Sequence, residues 1–205
     1  MMNFNTIAAL ALSVLAGSAI DLNTTTNETE VNSPAQTNAV VIDDFSDEPY
    51  SWWKGSEGKY DYARTEDEVL KVKITDAGNP QGQGNGYHCF GRQFDAVDFT
   101  KTPILKLKMK AEGGTPKVRI DIKDANGMVA NAKAVTKTVS ADGKFAEYYY
   151  DYTGKFEQAW PDKQAVDAVE IVEFLVFVNP GGPAFTGTLY MDDVTAIAAS
   201  EMPKE

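Results

Sequence analysis

The chain has 205 residues, 43% hydrophobic and 24% charged, a balance that excludes a disordered protein and suits one globular domain with a tail. Its formal net charge is -11, and so acidic a surface repels phosphate backbones, which argues against nucleic acid as a partner. The single cysteine, Cys89, excludes an internal disulfide and a cysteine-based zinc site, and reads as a small buried apolar residue.

The first residues read as an export signal followed by a tether. Residues 7–16 (IAALALSVLA) form an apolar run too short for a transmembrane segment, which needs about 20 residues. The run matches the core of a secretory signal peptide, and Gly17, Ser18 and Ala19 place cleavage after Ala19, although no Lys or Arg precedes the run. Leu15-Ala16-Gly17-Ser18 also resembles a bacterial lipoprotein signal with Ser in place of the lipid-bearing Cys. Residues 20–38, rich in Thr and Asn, have almost nothing to bury and read as a flexible tether, with Asn-x-Thr sequons at Asn23 and Asn27. Residues 1–38 hold three acids and no base, so the remainder carries 19 basic and 27 acidic residues, a net -8. The expected location is secreted or at a bacterial cell surface.

The expected folded body, residues 39–199, is written in short alternating runs. Val40, Val41 and Ile42 lead into Asp43-Asp44-Phe45, and an aromatic loop follows at 50–54. Residues 59–64 set Tyr60 and Tyr62 on one face, and residues 69–74 alternate. A glycine-rich loop at 78–86 precedes Tyr87-His88-Cys89-Phe90. Residues 104–109 form a period-2 strand with Lys106, Lys108 and Lys110 outward, and residues 117–122 repeat it with Val118, Ile120 and Ile122 inward. Turns are expected at 124–127 and 141–144, a strand at 135–139, and another at 145–152. On the latter, Tyr148, Tyr150 and Tyr152 share one face while Tyr149 and Asp151 take the other. Residues 158–166 carry the one hint of helix. Residues 174–178 are an apolar strand, 179–187 a loop punctuated by Pro and Gly, 188–194 a strand ending in Asp192 and Asp193, and 200–205 a tail. About nine or ten short strands without a long helical period predict an all-β fold, an antiparallel β-sandwich.

Three stretches carry a resemblance to a known family: IDDF at 42–45, ADGKFAEYYYDYTGKF at 141–156 and FLVFVNPGGPAFTGTLYMDDV at 174–194. Over residues 39–198 the chain resembles the jelly-roll carbohydrate-binding modules of the galactose-binding-like group, as attached to bacterial cellulases and mannanases. The resemblance implies a jelly roll, a non-catalytic role, a concave groove that takes a polysaccharide such as a plant-type or algal β-glycan, and a structural calcium near the paired chain ends. With no enzyme on this chain, binding is the expected task, beside a co-secreted glycoside hydrolase.

First and last strands of a sandwich are often neighbours, which would bring Asp43, Asp44, Asp192 and Asp193 together. Calcium takes about six to eight oxygens from carboxylates and carbonyls, so these four are the candidate ligands. Adjacent strand residues point to opposite faces, so one Asp of each pair should face the ion, and the resemblance favours Asp44 and Asp192. The plainer alternative is a set of exposed strand-end carboxylates paired with lysines.

Sugars present apolar C–H faces and hydroxyls, so a groove needs exposed flat rings with polar groups beside them. The candidate rings are Trp52, Trp53, Tyr60, Tyr62, Tyr87, His88, Tyr148, Tyr150 and Trp160, each with core packing as its plainer alternative. Candidate polar partners are Arg92, Gln93, Asp121, Lys123 and Asn179. Arg92 could offer two parallel donors to vicinal hydroxyls.

Two other readings stay open at this point. One is a structural or adhesion domain of the same fold without a sugar groove. The other is a polysaccharide lyase or glycosidase. His88 is the only histidine, and no Gly-x-Ser-x-Gly elbow accompanies it. The glycines of 82–86 lack the Lys-Ser/Thr of a phosphate-binding loop. Arg64-Thr65-Glu66 resembles a motif of alginate-type lyases, but the companion Gln-x-His and C-terminal Tyr motifs are missing. The many acids would permit the carboxyl pair a glycosidase needs.

Overall fold

The computed structural model describes residues 39–47, 52–54, 59–64, 67–78, 89–157 and 164–204. Among them are twelve strands: β1 (Val40–Asp43), β2 (Trp52–Lys54), β3 (Tyr60–Arg64), β4 (Leu70–Ala77), β5 (Cys89–Val97), β6 (Ile104–Glu112), β7 (Lys117–Asp124), β8 (Val129–Asn131), β9 (Lys137–Thr138), β10 (Ala146–Asp151), β11 (Ile171–Val178) and β12 (Phe185–Ile197). They form two six-stranded sheets. Sheet I runs β10-β6-β12-β4-β3, with β1 also on β12; sheet II runs β2-β5-β11-β7-β8, with β9 also on β7. All pairings are antiparallel.

β12 organises sheet I because it is long enough, at 13 residues, to serve three neighbours. β6 covers one edge; on the other, β4 pairs as far as Met191 and β1 takes over at Val194. The first and last strands are therefore neighbours. Between Asp192 and Thr195 β12 holds one residue more than β6 does between Lys108 and Lys106. This bulge puts Asp193 at φ 50°, a left-handed conformation that kinks the strand where its two carboxylates sit.

The alternating runs fold as their period demands. In β6, Leu105, Leu107, Met109 and Ala111 are buried while Lys106, Lys108 and Lys110 lie on the other face; in β7, Val118, Ile120 and Ile122 are buried between the outward Arg119 and Lys123. With Phe174, Val176 and Val178 of β11, Leu70, Val72 and Ile74 of β4, and Leu189 and Met191 of β12, these side chains form one core between the sheets. Each of these side chains larger than alanine contributes about 1.5–3 kcal/mol by leaving water.

Several expected elements differ. The residues expected as a loop up to 187 give their last three to β12. Gly187 belongs in the strand because a Cβ there would stand 2.2 Å from the Glu112 carbonyl oxygen, an approach only glycine permits. The strand expected at 135–139 shrinks to Lys137–Thr138, and β8 appears before it. The helical hint falls partly on residues 158–163, outside the described residues, and 164–166 are not helical. A 3-10 turn, Ala199–Glu201, reaches into the expected tail.

Candidate functional site

The outer face of sheet II carries a row of charged side chains in an unusual arrangement. Val118, Ile120 and Ile122 point into the core, so Lys117, Arg119, Asp121 and Lys123 of β7 share the opposite face. Arg119 grips Asp121, two residues along the same strand, donating from Nε to Oδ1 at 2.8 Å and to Oδ2 at 3.0 Å, and from Nη2 to Oδ2. Across the ladder Lys123 stands opposite Glu173 of β11 and pairs with it. The Arg119 guanidinium carbon lies 5.0 Å from the centre of the Phe177 ring, its cross-strand neighbour, within range of a cation–π contact. Leu175, half-buried, fills the row between Phe177 and Glu173.

The vertical order of these pairs matters. The Asp121 and Glu173 side chains are 2% and 3% exposed, and the Arg119 and Lys123 side chains 19% and 32%. The carboxylates lie beneath and the cations above. A buried carboxylate is tolerated only when paired and hydrogen-bonded, and Asp121 holds a hydrogen bond from Asn131 of β8 besides the Arg119 fork. Burial still outweighs these contacts and keeps the Asp121 carboxyl above its ordinary value. Cys89 is on this face too, opposite Phe177. Burial, and then the charges of Glu173 and Asp121, push its thiol up to about 11, so it stays protonated and inert at neutral pH.

The outer face of sheet I is built otherwise. Lys106 pairs with Glu147 at 2.7 Å, and Lys108 with Asp193. Lys110 lies 4.9 Å from the Phe145 ring centre and 4.6 Å from that of Tyr190, whose hydroxyl donates to Glu112 at 3.0 Å. Here the carboxylates are at least as exposed as their lysines.

At the seam between β1 and β12 Asp192 lies near Asp193 and Asp44, while cations hold Asp43 and Asp193. Asp43 Oδ2 accepts from Arg92 Nε at 2.6 Å and from Trp52 Nε1 at 3.0 Å, and Asp193 pairs with Lys108. Asp44 turns back on its own loop, accepting from the Ser46 amide and hydroxyl, which lower its pKa. Burial, and then the nearby charges of Asp193 and Asp44, raise the pKa of Asp192. Among the described residues no group of three or more His, Cys, Asp or Glu side chains is arranged to hold a metal. Asp44 and Asp192 alone fall short of the oxygens calcium takes, so an ion here would need backbone carbonyls as well.

Several expected sugar contacts are corrected by burial. Trp52 packs among Phe45, Phe90 and Phe174 and is 3% exposed; Tyr60 packs on Phe90, and both Tyr60 and Tyr150 are sealed in the core. Tyr150 and Tyr152 donate to the carbonyls of Val118 and Ile120, at 3.0 and 2.8 Å, tying sheet I to sheet II. Tyr148 also faces inward, and its hydroxyl accepts from the Ser140 amide at 3.1 Å. The inward face of β10 is set by register, since Tyr148 and Tyr150 stand opposite Leu107 and Leu105. Arg92 is committed to Asp43 and to the Gln93 carbonyl, not to a ligand. Asn179 is a loop anchor: Oδ1 accepts from the Lys117 amide at 2.7 Å and Nδ2 donates to the Pro183 carbonyl at 3.1 Å. Gln93 is exposed on β5, opposite Glu173. The side chains of Trp53 and Tyr62, and the whole of Tyr87, His88 and Trp160, lie outside the described residues.

Asp121, Lys123 and Gln93 are thus the expected polar residues on this outer face, and Arg119, Glu173 and Phe177 join them. The sequence held a signal for Arg119: in KVRIDIK every second residue is charged, which marks one solvent-side face of a strand.

No family model matches the sequence, and no curated protein matches it. Solved structures do. The family 11 carbohydrate-binding module of the cellulosomal cellulase Lic26A-Cel5E of Clostridium thermocellum is 14% identical, with a TM-score of 0.54 over 80% of this chain and 97% of that one. The Clostridium thermocellum family 11 module in complex with a β-1,3-1,4-mixed-linked tetrasaccharide is 15% identical, with a TM-score of 0.55 over 78% and 96%. The agarase AgWH50C is 13% identical, with a TM-score of 0.56 over 78% of this chain but 24% of that one. At these identities the likeness establishes architecture alone: the chain is an antiparallel β-sandwich with the jelly-roll fold of carbohydrate-binding modules.

Proposed function

We propose that the protein is a non-catalytic carbohydrate-binding module that takes a polysaccharide chain along the outer face of sheet II. The observation that supports this most is the double ion pair, Arg119–Asp121 and Lys123–Glu173, fixed on the middle strands of one sheet, with Arg119 lying over the buried Phe177 ring. Such a row offers donors held in place before a ligand arrives, which lowers the ordering cost of binding. The fold it sits on is one that carbohydrate-binding modules use. Affinity electrophoresis through gels containing soluble glycans, neutral and acidic, tests the reading, with a β-1,3-1,4-glucan as the first neutral probe. Retardation by at least one is expected, with no new reducing ends or unsaturated products. Retardation by none would contradict it.

Export belongs to the same proposal, since polysaccharides of this kind lie outside the cell, and a co-secreted glycoside hydrolase would be the natural partner. A structural calcium at the β1–β12 seam is proposed in narrower form than the four aspartates first implied. Asp44 and Asp192 are the two left without a cation partner among the described residues, and an ion there would relieve the mutual repulsion felt by Asp192. A chelator should then lower the melting temperature. An unchanged melt would leave Arg92 and Lys108 as the seam's whole means of neutralisation.

A further inference from the structure

We infer that the glycan held on the outer face of sheet II is an acidic one, carrying carboxylate or sulfate ester groups. This rests on the reading of that face as the glycan site. The first ground is local charge. Lys117, Arg119 and Lys123 stand on one face of β7, against the carboxylates of Asp121 and Glu173, so the row is cationic by one. Sheet I carries a like excess, Lys106, Lys108 and Lys110 against Glu147 and Asp193, so what sets sheet II apart is the depth of its carboxylates.

The second ground is layering. Asp121 and Glu173 are buried under the cations that neutralise them, so a ligand meets ammonium and guanidinium first. A neutral sugar uses each hydroxyl both as donor and as acceptor, and a face suited to it offers carboxylate or carbonyl acceptors as well as donors. Here the carboxylate oxygens are sealed and already engaged. On β7 and β11 what remains to reach outward are donors, with the exposed amides of Gln93 and Asn131 flanking them: the Lys123 ammonium has three and places one on Glu173, and Lys117, exposed at the end of the row, has no carboxylate partner among the described residues. Groups that only accept, carboxylate and sulfate, match a surface that mainly donates. The buried carboxylates then act as fixed counter-charges that hold the cations in one plane.

The test uses the full chain in affinity electrophoresis with three probes: polygalacturonate for carboxylate, a sulfated galactan for sulfate ester, and a neutral β-glucan. At least one acidic probe should retard the protein more strongly than the neutral one, and which acidic probe it is names the group. Two variants keep the fold while changing the row. Lys117→Glu alters an exposed residue. Lys123→Met with Glu173→Gln removes both charges of a buried pair, so neither is left alone. Each should weaken acidic-glycan binding by roughly three- to ten-fold, the scale of one or two exposed charge contacts. Retardation by the neutral probe alone, or acidic binding indifferent to both variants, overturns the inference while the carbohydrate-binding reading stands. Retardation by none of the three overturns both.

Discussion

The two outer faces of this sandwich use the same kinds of residue to opposite effect. On sheet I the pairs Lys106–Glu147 and Lys108–Asp193 lie side by side, and the carboxylates are the more exposed partners, 43% and 49% against 31% and 39%. On sheet II the carboxylates have sunk to 2% and 3%, and their cations remain above them. Exposed pairs are worth little to stability and exchange readily with water. A sealed carboxylate fixes its cation, because releasing it would strand a buried charge. The contrast separates a solvated surface from a constructed one, although both read as alternating charge along a strand.

The sharpest way to break this contrast is to remove one cation from each face. Arg119→Ala leaves Asp121 buried without its fork and should cost about 3–5 kcal/mol in a denaturant melt. Lys106→Ala, its counterpart on sheet I, should cost no more than about 1 kcal/mol. If the two variants melt alike, Asp121 is not sealed and the faces do not differ as described.

A smaller effect compares neighbours on β10. Tyr150 is buried with its hydroxyl on the Val118 carbonyl, whereas the hydroxyl of Tyr149, on the outer side, meets exposed Glu147. Tyr150→Phe removes a buried hydrogen bond between the sheets and should cost about 0.5–1.5 kcal/mol, while Tyr149→Phe should stay within about 0.5 kcal/mol of the parent. Equal costs would mean that β10 presents the other face to the core.

The smallest effects are those of pH. Lys101 and Thr100 hold Asp98 down to about 2, from an ordinary 3.8. An acid depressed on folding stabilises the fold above its unfolded value, and that stabilisation fades as pH falls from about 4 toward 2. Asp98→Asn should therefore flatten the low-pH end of a melting curve. Asp192 goes the other way, because its folded pKa is raised. Its ionised form opposes folding at neutral pH, and the penalty lifts as pH falls through the folded value. Asp192→Asn should raise the melting temperature slightly near neutrality in the presence of chelator, and a lowered value would contradict the sign.

Much of the fold was legible because strand period and core burial are one phenomenon. ILKLKMKAE and KVRIDIKD state their inner faces residue by residue, and the IDDF and MDDV segments marked the seam that β1 and β12 share. The site was less legible. Three consecutive tyrosines place a ring on both faces of β10, and only register against Leu105 and Leu107 decides which face is inside. Trp52 and Arg92 carry the chemistry of a sugar site, yet Asp43 engages both, Arg92 from 49 positions away in sequence. Glu173 reads as a lone acid in an apolar strand, and its role depends on Lys123 standing opposite. Alternation reports faces, whereas partners across strands come from topology.

The central claim is that sheet II, and not sheet I, is the face that holds glycan. Isothermal titration of the best-retained glycan into two charge-neutral variants tests it most directly. One carries Arg119→Gln with Asp121→Asn on sheet II, the other Lys106→Met with Glu147→Gln on sheet I. The first should lose binding while remaining folded, and the second should bind as the parent does; loss in the second with retention in the first would contradict the assignment.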